Sequence, residues 1–137
     1  MEITDNPKEE DIRIISSNVR HYNLEFMPND FSELAVFERD IQGVLIAGLT
    51  AKTYWERLDI DYLWVSSEHR GKGIARELLL KAEEEAIHRG CKYAQLDTFD
   101  FQAKEFYEKL GYEIFGKLDG YKNGHKRFYL KKCLKLT

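Results

Sequence analysis

The chain has 137 residues, 43% of them apolar and 33% charged, which is the balance of a globular domain and excludes collagen-like, low-complexity and disordered classes. Lys plus Arg total 21 and Asp plus Glu total 24, so the net charge is −3, without the basic excess of a dedicated nucleic-acid binder. Apolar runs fall far short of the roughly 18 residues that cross a bilayer, the opening MEITDNPKEED has the composition of neither a signal nor a transit peptide, and Cys91 and Cys133 make no disulfide framework. The expectation is one domain over residues 1–137, in a reduced cytoplasmic setting, with no nucleic-acid or membrane partner.

Residues 9–22 carry Ile12, Ile15, Val19 and Tyr22 at spacings of three and four, one apolar stripe of a helix. Pro28-Asn29-Asp30 is turn chemistry. Leu34 to Phe37 and Val44 to Thr50 read as a hairpin whose turn is bracketed by Asp40 and Gly43. From Leu58 to Val65 the chain alternates: Ile60, Tyr62 and Trp64 are predicted on one face, and Asp59, Asp61, Leu63 and Val65 on the other. A polar loop over 66–73 precedes a strong helix in which Ile74, Leu78, Ala82 and Ala86 recur, widened by Leu79 and Ile87 and ended by Arg89-Gly90. Tyr93 to Thr98 is a short strand, and Phe101 to Leu110 a further helix closed by Gly111. Two final strands lie near Tyr112–Lys117 and Lys126–Cys133, joined by a turn-rich stretch over 119–124. This order predicts an α/β fold around one mixed sheet.

The segment Arg70-Gly71-Lys72-Gly73-Ile74-Ala75 stands between a strand and a helix. A helix start leaves four backbone N–H groups unpaired and carries partial positive charge. Glycines there let a phosphate oxygen approach the backbone, and Arg70 and Lys72 add formal charge. The spacing fits neither a Walker loop nor a dinucleotide fingerprint, since the third glycine position holds Arg76. Read alone, the loop is either a diphosphate cradle or a turn with two solvated cations.

Val65 to Ala75 resembles the acetyl-CoA-binding segment of the GNAT N-acetyltransferase superfamily, whose pattern Gln/Arg-x-x-Gly-x-Gly/Ala is filled by Arg70, Gly73 and Ala75. About thirty residues later, Ala103-Lys104-Glu105-Phe106-Tyr107-Glu108-Lys109-Leu110-Gly111-Tyr112 is similar to the second signature of that superfamily. Leu96 to Ala103 most resembles small uncharacterised bacterial acetyltransferases, a likeness that carries no substrate assignment. The resemblance implies a single-domain fold with about six to seven strands and about four helices, splayed between its two central strands. It implies direct transfer of acetyl from acetyl-CoA to a primary amine, on a small molecule or a protein, with a homodimer left open. The cofactor would lie along Leu63 and Val65, over Arg70, Gly71, Lys72, Gly73, Ile74 and Ala75, and beside Thr98, Ala103 and Phe106. Asp100 departs from the Asn that many members carry, and a carboxylate cannot donate as an amide does. That departure motivates an alternative, a non-catalytic acyl-CoA-binding or sensing module.

The family chemistry needs an acid for the leaving thiolate and a base for the ammonium substrate. Tyr107 occupies the position of the family's acid, and otherwise reads as a core ring beside Phe106. Asp59 and Asp61 are the candidate bases, directly or through water, or else structural carboxylates. Tyr22, Asn23, Glu25, Phe26, Tyr54, Trp55 and Glu56 are candidate acceptor contacts or else sheet caps and dimer contacts. His125 is a turn residue that could face the acceptor, His21 and His69 are weak candidates, His69 reading as solvated, and Cys91 reads as a buried apolar residue. No pair of side chains has metal-ligand spacing, so no metal is expected.

Overall fold

The computed structural model describes residues 1–134 and divides into two compact units, residues 1–30 and the chain from Phe31 on. The first unit holds helix α1, Glu9–Asn23, with Glu9, Glu10 and Asp11 in its first turn and Arg20 and His21 in its last, charges that complement the helix dipole. The predicted stripe is present but unburied: no residue of α1 is buried, and Ile15 is 68% exposed.

The second unit is a six-stranded sheet in the order β1-β2-β3-β4-β6-β5. Its strands are β1 Ser32–Arg39, β2 Leu45–Tyr54, β3 Arg57–Val65, β4 Tyr93–Phe99, β5 Glu113–Leu118 and β6 Arg127–Cys133. Every neighbouring pair is antiparallel except β3 and β4, which are joined by the crossover helix α2, Ile74–His88. The short helix α3, Lys104–Lys109, follows β4. The described residues therefore hold three α-helices where about four were expected.

Local chemistry explains the connections. At the β1–β2 turn, Asp40 Oδ1 accepts from the amides of Gln42 and Val44, both at 2.9 Å. The β2–β3 turn has two residues, Trp55 and Glu56, both with positive φ, as a tight hairpin demands. Helix α3 starts later than the predicted Phe101 because Gln102 Oε1 accepts from the Phe99 amide at 2.8 Å and the Asp100 amide donates to the Lys126 carbonyl. Those bonds hold 99–102 in a turn. The core lies between α2 and the sheet, where Leu49, Leu58, Leu79 and Leu130 are fully buried and Ala82 and Ala86 let the helix sit close.

Two irregularities in β3 position the site. Thr50 pairs with Tyr62 but Ala51 pairs with Ile60, so Asp61 is the extra residue of a β-bulge. The bulge breaks the predicted alternation: Ile60 is buried, whereas Tyr62 and Trp64 are exposed and Leu63 and Val65 turn inward. The β3–β4 ladder holds only at Arg57–Tyr93, Leu58–Ala94 and Asp59–Gln95. Beyond it, β3 keeps pairing with β2 and β4 with β6, so the two central strands part. The bend that a bulge adds begins two residues past the last β4 pair.

Candidate active site

After Val65 the chain makes a stapled loop. The Ser66 amide donates to the Ile46 carbonyl at 2.8 Å, and the His69 amide to the Ser66 carbonyl at 3.0 Å. Ser66 Oγ and His69 Nδ1 lie 2.6 Å apart, and Arg70 Nε donates to the Val65 carbonyl at 3.0 Å. Arg70 therefore ties the loop to the end of β3 as well as lending charge. Gly71 and Gly73 have φ of +78° and +82°, a region that side chains with Cβ rarely enter. No atom lies within 4 Å of where a Cβ would stand at either glycine. Gly73 is the N-cap of α2 and no side chain caps it, so the first-turn amides keep their donors and partial positive charge for a ligand.

This helix start opens on a cleft of about 580 Å³. Its walls are Leu63, Trp64 and Val65 of β3, the loop from His69 through Arg70, Gly71 and Gly73, the first turn of α2 at Ile74, Ala75 and Arg76, and Ala103, Phe106 and Tyr107. Leu63, Val65, Arg70, Gly71, Gly73, Ile74, Ala75, Ala103, Phe106 and Tyr107, predicted from the sequence, thus come together. Lys72 and Thr98 do not line it. Lys72 is exposed, and the buried Thr98 hydroxyl donates to Gln102 Oε1 at 3.1 Å.

Tyr107 meets this cleft with a ring half-buried among Phe106, 5.2 Å away, and Tyr112, 6.0 Å away, both edge-on. Burial raises its phenol above the usual tyrosine value, with no charge or hydrogen bond opposing it. The group is therefore a proton donor throughout the neutral range.

A second cleft of about 660 Å³ fills the opening between the parted strands. It is lined by Asp59, Asp61 and Tyr62 of β3, Gln95, Asp97 and Phe99 of β4, Phe115 of β5, and Arg127 and Tyr129 of β6, with Ile60, Leu96 and Gln102. Tyr62 lines this cleft and its neighbour Leu63 the first. Lys52 Nζ lies 2.7 Å from Asp61 Oδ1 and 3.7 Å from Asp59 Oδ2. Burial lifts the Asp59 carboxyl above the ordinary range; the Lys52 charge opposes this and the Asp61 charge adds to it. Lys52 itself is raised, first by its hydrogen bond to Asp61. Across the opening, Asp97 is bound by the Arg127 guanidinium, which also lies over the rings of Phe99 and Tyr129.

Lys52, Asp97 and Arg127 were not singled out from sequence. A signal for Lys52 was there: a two-residue turn at 55–56 places residue 52 opposite residue 59 by counting alone. The Asp97–Arg127 pair depends on the long-range β4–β6 register and had no local signal.

Other expected acceptor residues lie elsewhere. Tyr54, Trp55 and Glu56 sit at the closed end of β3, where it still pairs with β4, and line neither cleft; Tyr54 reaches the site as a hydrogen-bond partner of Asp59. Tyr22, Asn23, Glu25 and Phe26 belong to the first unit, where the Tyr22 and Phe26 rings are 5.5 Å apart. His125 lines neither cleft; its Nδ1 is 2.8 Å from Asp100 Oδ1, and Asp100 Oδ2 accepts from the Lys126 amide at 3.0 Å. Desolvation works against the Asp100 charge, but these hydrogen bonds outweigh it and hold the carboxyl below its ordinary value. Among the described residues, no three His, Cys, Asp or Glu side chains gather as a metal site, and no helix is long and apolar enough to cross a membrane.

Residues 5–112 match the model of the acetyltransferase (GNAT) family. A blasticidin-S acetyltransferase of Streptomyces morookaense is 37% identical over 84 residues, which cover 61% of this chain and 62% of that protein. An acetyltransferase of Agrobacterium fabrum is 36% identical over 112 residues, 81% of this chain and 82% of its own. The crystal structure of an acetyltransferase from Bacillus cereus superposes with a TM-score of 0.85 at 30% identity, over 98% of this chain and 99% of that one. On these matches the chain belongs to the acetyltransferase (GNAT) family.

Proposed function

We propose that the protein transfers an acetyl group from acetyl-CoA to a primary amine of a small molecule. The observation that carries this reading is the uncapped start of α2, with open space beside Gly71 and Gly73, on the same cleft as the unpaired edge of β3 and the Tyr107 phenol. Donors without acceptors beside two Cβ-free positions fit a diphosphate. When bound, acetyl-CoA supplies an acetyl thioester whose C–S bond breaks as a C–N bond forms to the amine.

The residues have separable tasks. Amides of the loop and the first turn of α2 bind the diphosphate, with Arg70 and Arg76 adding charge. The edge of β3 at Leu63 and Val65 faces no strand of β4 and offers backbone groups to an extended, amide-bearing arm. Tyr107 donates its phenolic proton to the departing thiolate. Asp59 or Asp61 takes a proton from the ammonium, directly or through a water, so that the nitrogen lone pair is free. Carboxylates and the rings of Tyr62, Phe99 and Tyr129 suit a cationic acceptor. The Streptomyces relative, a blasticidin-S acetyltransferase, supports a small-molecule amine.

The test follows release of free thiol from acetyl-CoA against a panel of small primary amines, diamines and a lysine peptide. Amine-dependent thiol release with at least one small amine is expected. Binding of acetyl-CoA with no thiol release on any amine would leave a non-catalytic binding module instead.

A further inference from the structure

From the way one ammonium is shared between two carboxylates on the wall of the acceptor cleft, we infer that Lys52 is a positioning residue that divides their labour: it pins Asp61 as a standing ion pair and leaves Asp59 to accept the proton. This rests on the transferase reading and decides which of its two candidate bases acts.

The placement follows from the backbone. The two-residue turn sets Lys52 opposite Asp59 across the β2–β3 hairpin. Asp61 stands two residues further on, so strand alternation keeps it on the face of Asp59. As the extra residue of the bulge, it meets the same Lys52 ammonium. The sharing is unequal, 2.7 Å to Asp61 and 3.7 Å to Asp59. The short contact is a charge-assisted hydrogen bond that engages Asp61 Oδ1 with the Lys52 ammonium. The long one is a weaker contact, and Asp59, which Tyr54 also approaches, lines the cleft that a substrate would enter.

Exposure ranks the pair the same way. The Asp59 side chain is 25% exposed and that of Asp61 36%, so Asp59 is the less hydrated and the better proton acceptor once an ammonium is brought against it. The groups around Asp59 are Lys52 and Tyr54 on β2, Asp61 on β3, and, along the facing wall, Gln95 and Asp97 on β4 with Arg127 on β6. Arg127 is committed to Asp97, and Arg57 bonds to Gln95 Oε1 at 3.2 Å. Lys52 is thus the cation that acts on Asp59 directly.

The distinguishing prediction is a pair of opposite shifts. With Lys52→Met, Asp59 loses its opposing charge and gains the unscreened repulsion of Asp61, so its titration moves up by about one pH unit. With Asp61→Asn, Lys52 is released toward Asp59 and the titration moves down. Carbon-detected NMR titration of the Asp59 carboxyl reads both shifts in the whole protein without acetyl-CoA or acceptor. The pH profile of kcat/KM reads them in turnover: its acid limb should follow Asp59 up in one variant and down in the other. Lys52→Arg should return the limb toward the parent, and Asp59→Asn should abolish it with a loss of about 10²–10⁴-fold in kcat. Shifts of the same sign in both variants, an unmoved Asp59, or an acid limb that survives Asp59→Asn and is lost in Asp61→Asn would overturn the assignment. A protein that titrates as expected yet acetylates no amine would contradict the transferase reading and with it the role of Asp59 as base, while the unequal sharing of Lys52 between the two carboxylates would stand.

Discussion

Tyr107 shows how one side chain can answer to packing and to chemistry at once. Its ring is wedged edge-on between Phe106 and Tyr112, a place any aromatic would fill. Its hydroxyl is what a phenylalanine would lack, and the residue lines the cleft that the helix start shares with β3. Removing the hydroxyl alone therefore separates the two roles. Tyr107→Phe should keep the melting temperature and acetyl-CoA affinity close to the parent, and lower kcat by about 10²–10⁴-fold, measured by thiol release. A parent-like kcat would return the residue to packing. The motif named Tyr107, but the free hydroxyl and the raised phenol came from its surroundings, which no window of sequence contains.

At the scale of elements, α2 is fastened as well as packed. Glu83, 6% exposed on its buried face, accepts from the Tyr112 hydroxyl at 2.8 Å and from Lys132 Nζ at 2.7 Å, tying the helix to the start of β5 and to β6. A carboxylate at that depth is tolerated because both partners reach it. Tyr112→Phe removes one and should cost about 1–3 kcal/mol in urea unfolding at neutral pH, with acetyl-CoA binding retained. Burial, and then the Glu83 charge, push the Tyr112 phenol far above its ordinary value. The unfolded tyrosine ionises near pH 10, so the stabilising contribution is full below that pH and is lost as pH rises past it. The parent should therefore lose stability between about pH 10 and 11 more steeply than Tyr112→Phe does. The sequence made α2 legible through its four-residue repeat, yet Glu83 sat in that pattern as an ordinary polar position. Its partners are 29 and 49 residues away. Likewise β3 was read as regular alternation; the bulge at Asp61 is a matter of register against β2 and has no composition of its own.

On the scale of the whole molecule, the proposed function rests on one interruption in an otherwise continuous sheet. Three residue pairs hold β3 to β4, and past them the strands part, placing the cleft at the start of α2 and the carboxylate cleft on successive residues of one strand. The order of elements and the loop from Arg70 to Ala75 were readable because they are local: a strand, two glycines, a helix. The cleft between the parted strands was not, because its walls come from four strands. Tyr54, Trp55 and Glu56 drew attention as aromatic and acidic neighbours of β3, but they occupy its closed end. The account stands or falls on the open amides at the start of α2. The decisive measurement is calorimetric titration of acetyl-CoA into the parent protein and into Gly73→Asp, a residue that tolerates positive φ better than most but sets a carboxylate where the diphosphate must lie. Saturable binding by the parent and a loss of at least about tenfold in the folded variant are predicted. A parent that binds no acetyl-CoA at millimolar concentration, or a variant that binds it equally well, would contradict the account.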